Sequence, residues 1–342
     1  MMRNLSGGRR FASKLACVAL LLACALRISC GAVSAAPELK FKWPVPSRVT
    51  VTETALKKGQ TVKLRYDIVL EKQKDGDDME LKFDKFEFLE LNGLDMTAPE
   101  AKALMGPTIS QLTAIQSALP GLIINSQGRA IDVTGVEQLS DKALNMLPSA
   151  DEKMRASIEA VLKSPEGIAQ IKQKTKDFWR VWVQSWIGVA LAPGKEKTVD
   201  TLVPFMNGNV LTVPMVIRND GKVADAPGNI QLTGVTTLQG PEATKALGEM
   251  LLKLRSHMPV NPEVKPFTPD MVQELKRTTT FSVVTNPETL QPKTAQSEIV
   301  TDVTISDAHK SDTEKHQYAF DWSSKSEAAD TKSDAADTKS DR

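Results

Sequence analysis

From residue 48 to residue 134 the apolar positions recur first every second residue, then every third or fourth. Val62, Leu64, Tyr66, Ile68 and Leu70 alternate with Lys63, Arg65 and Asp67, the period of a half-buried strand. Met79, Leu81 and Phe83 carry that period onto a partner strand. At Asp84-Lys85 the phase slips and Phe86 and Phe88 take over the apolar set, which predicts a β-bulge at this pair. Asp75-Gly76-Asp77-Asp78 lies between the two runs. Its clustered carboxylates bring calcium to mind, but the spacing lacks the rest of a binding loop, and an Asp-Gly hairpin turn accounts for it. Thr97 with Glu100 three residues on forms a capping box for a helix whose apolar face includes Ala101, Leu104, Met105, Ile109, Leu112 and Ile115. Pro107 is expected to kink or split it. Residues 122–133 then read as a hairpin turning at Gln127-Gly128.

The middle of the chain has helical periodicity over 136–147, over 151–163 (capped by Ser149 with Glu152) and over 165–190. Strands return over 198–205 and 210–217, joined by a turn at 206–209, with Asn219-Asp220-Gly221 as the next turn and a further strand over 230–238. A helix over 241–257, a proline-marked loop over 258–266 and a short helix opened by Thr268-Pro269-Asp270 follow. Strands over 277–285, 298–305 and 317–322 close the fold, with Tyr318, Phe320 and Trp322 alternating inward. Upstream, 36–47 reads as an extended lead-in restrained by three prolines.

These elements predict an α+β protein: curved antiparallel sheets from two β-β-α-β-β-like halves (about 48–134 and 198–306), packed on a central helical block at about 135–191. A faint internal repeat supports the two halves. Leu91-Asn92-Gly93 leads to a helix starting Pro99-Glu100-Ala101, and Leu238-Gln239-Gly240 leads to one starting Pro241-Glu242-Ala243.

Both ends differ in kind from this domain. Residues 1–35 run from a basic stretch (Arg3, Arg9, Arg10, Lys14) through an apolar run at 15–26 to small residues ending at Ala35, the order of a secretory signal with cleavage after Ala35. The apolar run is too short for a membrane span, which needs about 20 residues. Leu21-Leu22-Ala23-Cys24 offers a second reading, a lipoprotein box with Cys24 acylated as an anchor. The three cysteines all precede Ala35, so the processed chain is expected to hold no disulfide or thiolate metal site. With no Asn-x-Ser/Thr acceptor after Ala35 either, the expected location is a bacterial periplasm or cell envelope, or the extracellular space. The last residues, 323–342, contain a seven-residue segment repeated letter for letter (328–334 and 335–341) and no apolar residue larger than Ala, which predicts a disordered tail.

Charge narrows the partners. The first 35 residues hold five Lys/Arg and no Asp/Glu, so of 43 basic and 42 acidic residues the remainder keeps 38 and 42, a net of −4. That argues against a nucleic-acid partner. Three histidines without metal-ligand spacing, and no nucleotide or nucleophile motif, give no sign of a cofactor or metal. The feature that remains is an aromatic stripe. Trp179, Trp182 and Trp186 fall at i, i+3 and i+7 of one helix, with Phe178 beside them. It is either the core element on which the sheets pack or the lining of an apolar groove. The expectation is a non-catalytic envelope protein binding a hydrophobic small molecule, lipid or partner there. A structural protein with no ligand site and a hydrolase using two carboxylates are the alternatives.

Overall fold

The computed structural model describes residues 36–74, 76–145, 152–204, 210–256 and 266–323. The signal segment with Cys24 and Ala35, Asp75, the Ser149 cap, the 206–209 turn, His257 with most of the following loop, and the tail beyond Ser323 lie outside these residues.

Alternating side chains produce long strands: β1 (Ser47–Lys57), β2 (Gln60–Lys72), β3 (Met79–Leu91), β7 (Glu196–Pro204), β8 (Val210–Lys222), β9 (Ile230–Gln239), β10 (Val272–Thr285), β11 (Pro292–Ile305) and β12 (Ala308–Asp321). Shorter ones are β4 (Leu94–Asp95), β5 (Gly121–Ile124) and β6 (Ala130–Thr134). The helices are α1 (Pro99–Gln116), α2 (Val136–Asn145), α3 (Glu152–Leu162), α4 (Pro165–Trp182) and α5 (Pro241–Ser256). The fold is α+β, and its strands form one open sheet of 12 strands. The order is β6-β5-β3-β2-β1-β12-β11-β10-β9-β8-β7, with β4 paired off β3, and every pairing is antiparallel. Where the sequence suggests sheets belonging to two halves, pairing of β12 with both β1 and β11 joins them into one.

That sheet is rolled. Six strand spacings of about 4.8 Å would hold β5 and β10 about 29 Å apart in a flat sheet. Instead, a short series of contacts links the turns that leave them. The Gly128 carbonyl accepts from Trp179 Nε1 at 2.8 Å, the Trp179 and Trp43 rings lie 5.1 Å apart, and Trp43 Nε1 donates to the Leu290 carbonyl at 3.0 Å. The lead-in is the bridge. Leu39, Phe41 and Trp43 alternate inward and are buried, and Leu39 exchanges backbone hydrogen bonds with Gly188 and Val189. Gly128 sits at φ +84°, and a Cβ there would come within 2.4 Å of the Phe41 ring, so the turn needs glycine on two counts.

The bulge falls where the phase slip puts it. Arg65 pairs with Glu87 and Asp67 with Asp84, leaving one extra residue on β3 beside Lys85, whose φ is +53°. A second extra residue, Leu89, gives its carbonyl to Met96. Other expectations change. Pro107 does not split α1. Asn219-Asp220-Gly221 is a bulge inside β8, and the chain turns later, over 223–229. The last helix of the middle block ends at Trp182, short of 190. There Val183 leaves helical geometry, and the indole of Trp186 donates to the Val181 carbonyl at 2.8 Å, satisfying one of the acceptors the helix end leaves open.

Candidate ligand-binding groove

Helix α4 begins with Ser164, whose side chain accepts from Gly167 N–H at 3.0 Å, followed by Pro165 at the first helical position. It contacts β5 and β6 towards one edge of the sheet and β10 and β11 on the other side of the seam. Its apolar stripe splits into two roles. Trp179, Trp182 and Trp186 are each fully buried and form the centre of the main core. Trp182 meets Tyr318 and Phe320 edge-on, both at 5.0 Å, and Trp186 meets Phe281 at 5.4 Å. None of the three lines the groove beside α4. Phe178 does: it lies 4.6 Å from Trp182 and 5.1 Å from Phe83 and faces open space.

That space is a groove of about 460 Å³ between α4 and the sheet, within the ordinary range of small-molecule sites. Its aromatic wall is Tyr66 on β2, Phe83 and Phe86 on β3, and Phe178; the β3 bulge is what turns both Phe83 and Phe86 towards the same side. A second space of about 430 Å³ opens between α4, α5 and β9–β11. Leu238, Leu247, Met250, Leu251, Val303 and Ile305 make it aliphatic. Both spaces are lined by Gln170, Lys174, Arg277, Ile299 and Glu314, so they meet at that group. A third space, of about 370 Å³, runs along the polar flank of α4 past the same Lys174 and Arg277. An ion pair between Glu166 of α4 and Lys253 of α5 ties the two helices together at the aliphatic end.

A polar cluster crosses the sheet at the β1–β12 seam. His316 Nδ1 lies 2.8 Å from Glu53 Oε1, His316 Nε2 lies 3.0 Å from Glu314 Oε1, and Lys57 reaches Glu314 at 2.9 Å. Tyr66 donates to Glu53 at 3.1 Å, and the imidazole stacks on Tyr318. Burial alone would push the His316 pKa down. Hydrogen bonds to Glu314 and Glu53, with their charges, outweigh it and carry the pKa up to about 9. Through the hydrogen bond from His316, and with Lys57 adding to it, the Glu314 pKa is drawn down to about 2. Burial raises the phenol pKa values of Tyr66 and Tyr318 well above their ordinary value, and Glu53 adds to the effect.

Sequence reasoning found Phe178 but none of these polar residues. A signal was present. The inward alternation of Phe320 and Tyr318 continues upstream to His316 and Glu314, and period two alone puts them on the core face.

Among the described residues no group of three or more His, Cys, Asp or Glu is placed to hold a metal ion. No described helix is long and apolar enough to cross a membrane. No protein-family model matches the chain, and a search of curated proteins finds no relative.

Proposed function

We propose that this chain is an exported, non-catalytic protein that holds an apolar ligand in the groove between α4 and the sheet. The observation that carries the reading is the aromatic wall of Tyr66, Phe83, Phe86 and Phe178 around about 460 Å³ of space, continuous with an aliphatic chamber. A core built only for stability would close over such surface, because empty apolar volume forfeits packing. The tryptophan stripe then serves as the rigid backing of the site, with Phe178 as its contact surface. The signal pattern ending at Ala35 supports export, and Cys24 supports a lipid-anchored variant of the same role. Sheet order supports the reading of two related halves. β2-β3-α1-β5-β6 and β8-β9-α5-β10-β11 both run as neighbouring antiparallel strands interrupted once by a helix, and α2–α4 lie between them in the chain.

The test uses N-phenyl-1-naphthylamine, a neutral dye that brightens in apolar surroundings. The wild-type chain is expected to enhance its emission saturably. Ile299→Trp, which builds an indole into the floor shared by both chambers, should abolish the enhancement while leaving the thermal unfolding transition cooperative. A wild-type protein that leaves the dye dark, or a folded variant that brightens it equally, would overturn the proposal.

A further inference from the structure

We infer that the ligand is an anionic amphiphile whose charged head sits between Arg277 and Lys174, with its hydrocarbon in the adjoining apolar chambers; this rests on the groove being a ligand site. Arg277 stands on β10 between Leu238 of β9 and Thr301 of β11, with Leu275 and Thr279 on the same face of its own strand. It is half-buried, and among the described residues it forms no hydrogen bond or ion pair. Lys174 joins it in lining all three spaces from the helix above and forms none with a described residue either. Lys174 is exposed, whereas Arg277, held partly out of water, needs an opposite charge to offset its lost hydration.

The surrounding cations show what is missing. Lys172 pairs with Asp132 at 3.0 Å, Arg180 with Asp177 at 3.4 Å, and Lys253 with Glu166. Lys176 donates to the Ile131 carbonyl at 3.4 Å, and Glu314, the acid that lines both chambers, is engaged by His316 and Lys57. The third space is lined by Lys172, Lys174, Lys176, Arg180 and Arg277 against Asp177 alone. This concentration of positive charge occurs in a chain whose sequence beyond residue 35 carries a net of −4. Of these five, Lys174 and Arg277 also line the place where the aromatic and aliphatic chambers meet, beside Glu314, so a head group held by that pair leaves its chain next to apolar walls on either side. Carboxylate and phosphate heads share the required chemistry, since a guanidinium grips either through two parallel N–H donors.

The experiment displaces N-phenyl-1-naphthylamine from the full chain with oleate, oleoyl lysophosphatidate and neutral monoolein, each below its micellar concentration, and with inorganic phosphate alone. In wild type the two anionic lipids are expected to compete at concentrations about tenfold or more below monoolein, the size of one charge-assisted contact. In Lys174→Gln/Arg277→Gln that preference, read as the ratio of anionic to monoolein competition within the variant, should shrink to less than about twofold, and Arg277→Lys should restore part of it. Phosphate alone should have no effect on lipid competition. Equal competition by charged and neutral lipids in wild type, retention of the preference in the double variant, or blocking by phosphate would each overturn the inference while leaving the apolar site standing. Failure of every lipid to displace the dye would instead remove the groove reading itself.

Discussion

Trp179 and Trp182 are both fully buried on α4, yet their indole N–H groups have opposite fates. Trp179 Nε1 donates to the Gly128 carbonyl at 2.8 Å, whereas Trp182 Nε1 has no hydrogen-bond partner among the described residues. Phenylalanine keeps most of the packed volume at either position but removes the donor. At Trp179 this leaves the Gly128 carbonyl short of a partner, a cost of about 1–3 kcal/mol on top of the lost ring area. At Trp182 it removes an unmet donor, which offsets part of the lost volume. Trp179→Phe is therefore expected to lower stability by at least about 1 kcal/mol more than Trp182→Phe in equilibrium urea unfolding. Equal losses would show that the Gly128 contact carries no net weight. The stripe itself is legible in the sequence, because helical spacing shows which side of α4 is apolar. Spacing does not say whether that side meets other side chains or a cavity. Phe178 and Trp182 touch each other, and only the strands opposite decide that one faces the groove and the other the core.

At the scale of elements, the β1–β12 seam joins early and late parts of the chain through the Glu53–His316–Glu314 cluster. Its pH dependence follows from the two shifts. His316 binds its proton more tightly in the folded chain, about 9 against 6.5, so its contribution is complete below about 6.5 and is lost as pH rises to about 9. Glu314 is held at about 2 against 4.5, so its contribution is complete above about 4.5 and is lost as pH falls towards 2. Both are present together between about 4.5 and 6.5. The melting temperature is expected to fall from pH 6.5 to 9 in wild type, and His316→Gln should flatten that limb of the curve. An unchanged slope in the variant would place the alkaline loss elsewhere. Elements with a local cause were legible in the sequence. The phase slip at Lys85 marks a bulge because one inserted residue inverts every side chain that follows it. Asn219-Asp220-Gly221 misleads, since those residues suit a turn and a bulge equally well. Pairing with β9 on both sides of Asp220 decides between them.

For the whole molecule, the decisive fact is that the first and last strands lie at the centre of the sheet, while β6 and β7 form its edges. Local periodicity carries no record of such a pairing, because Glu53 and Tyr318 become partners only when distant segments meet. This is why one rolled sheet was not legible where its separate strands were. It also determines what each end of the chain is worth. β12 supplies Tyr318 and Phe320 to Trp182, and Trp322 Nε1 donates to the Pro292 carbonyl at 2.8 Å. A chain ending at residue 305 would expose the free edges of both β1 and β11 and uncover the central indole. It is expected to lose its cooperative thermal transition and its dye binding together. A chain ending at residue 323 keeps every one of these contacts and should melt within about 2 °C of the full chain, because the missing residues hold no apolar side chain larger than Ala. Near-ultraviolet circular dichroism with a melting curve distinguishes the two truncations. If the shorter chain still melted cooperatively and bound the dye, the two halves would be independent folding units. The groove would then owe nothing to the seam, although its floor takes Tyr66 from one side and Ile299 and Arg277 from the other.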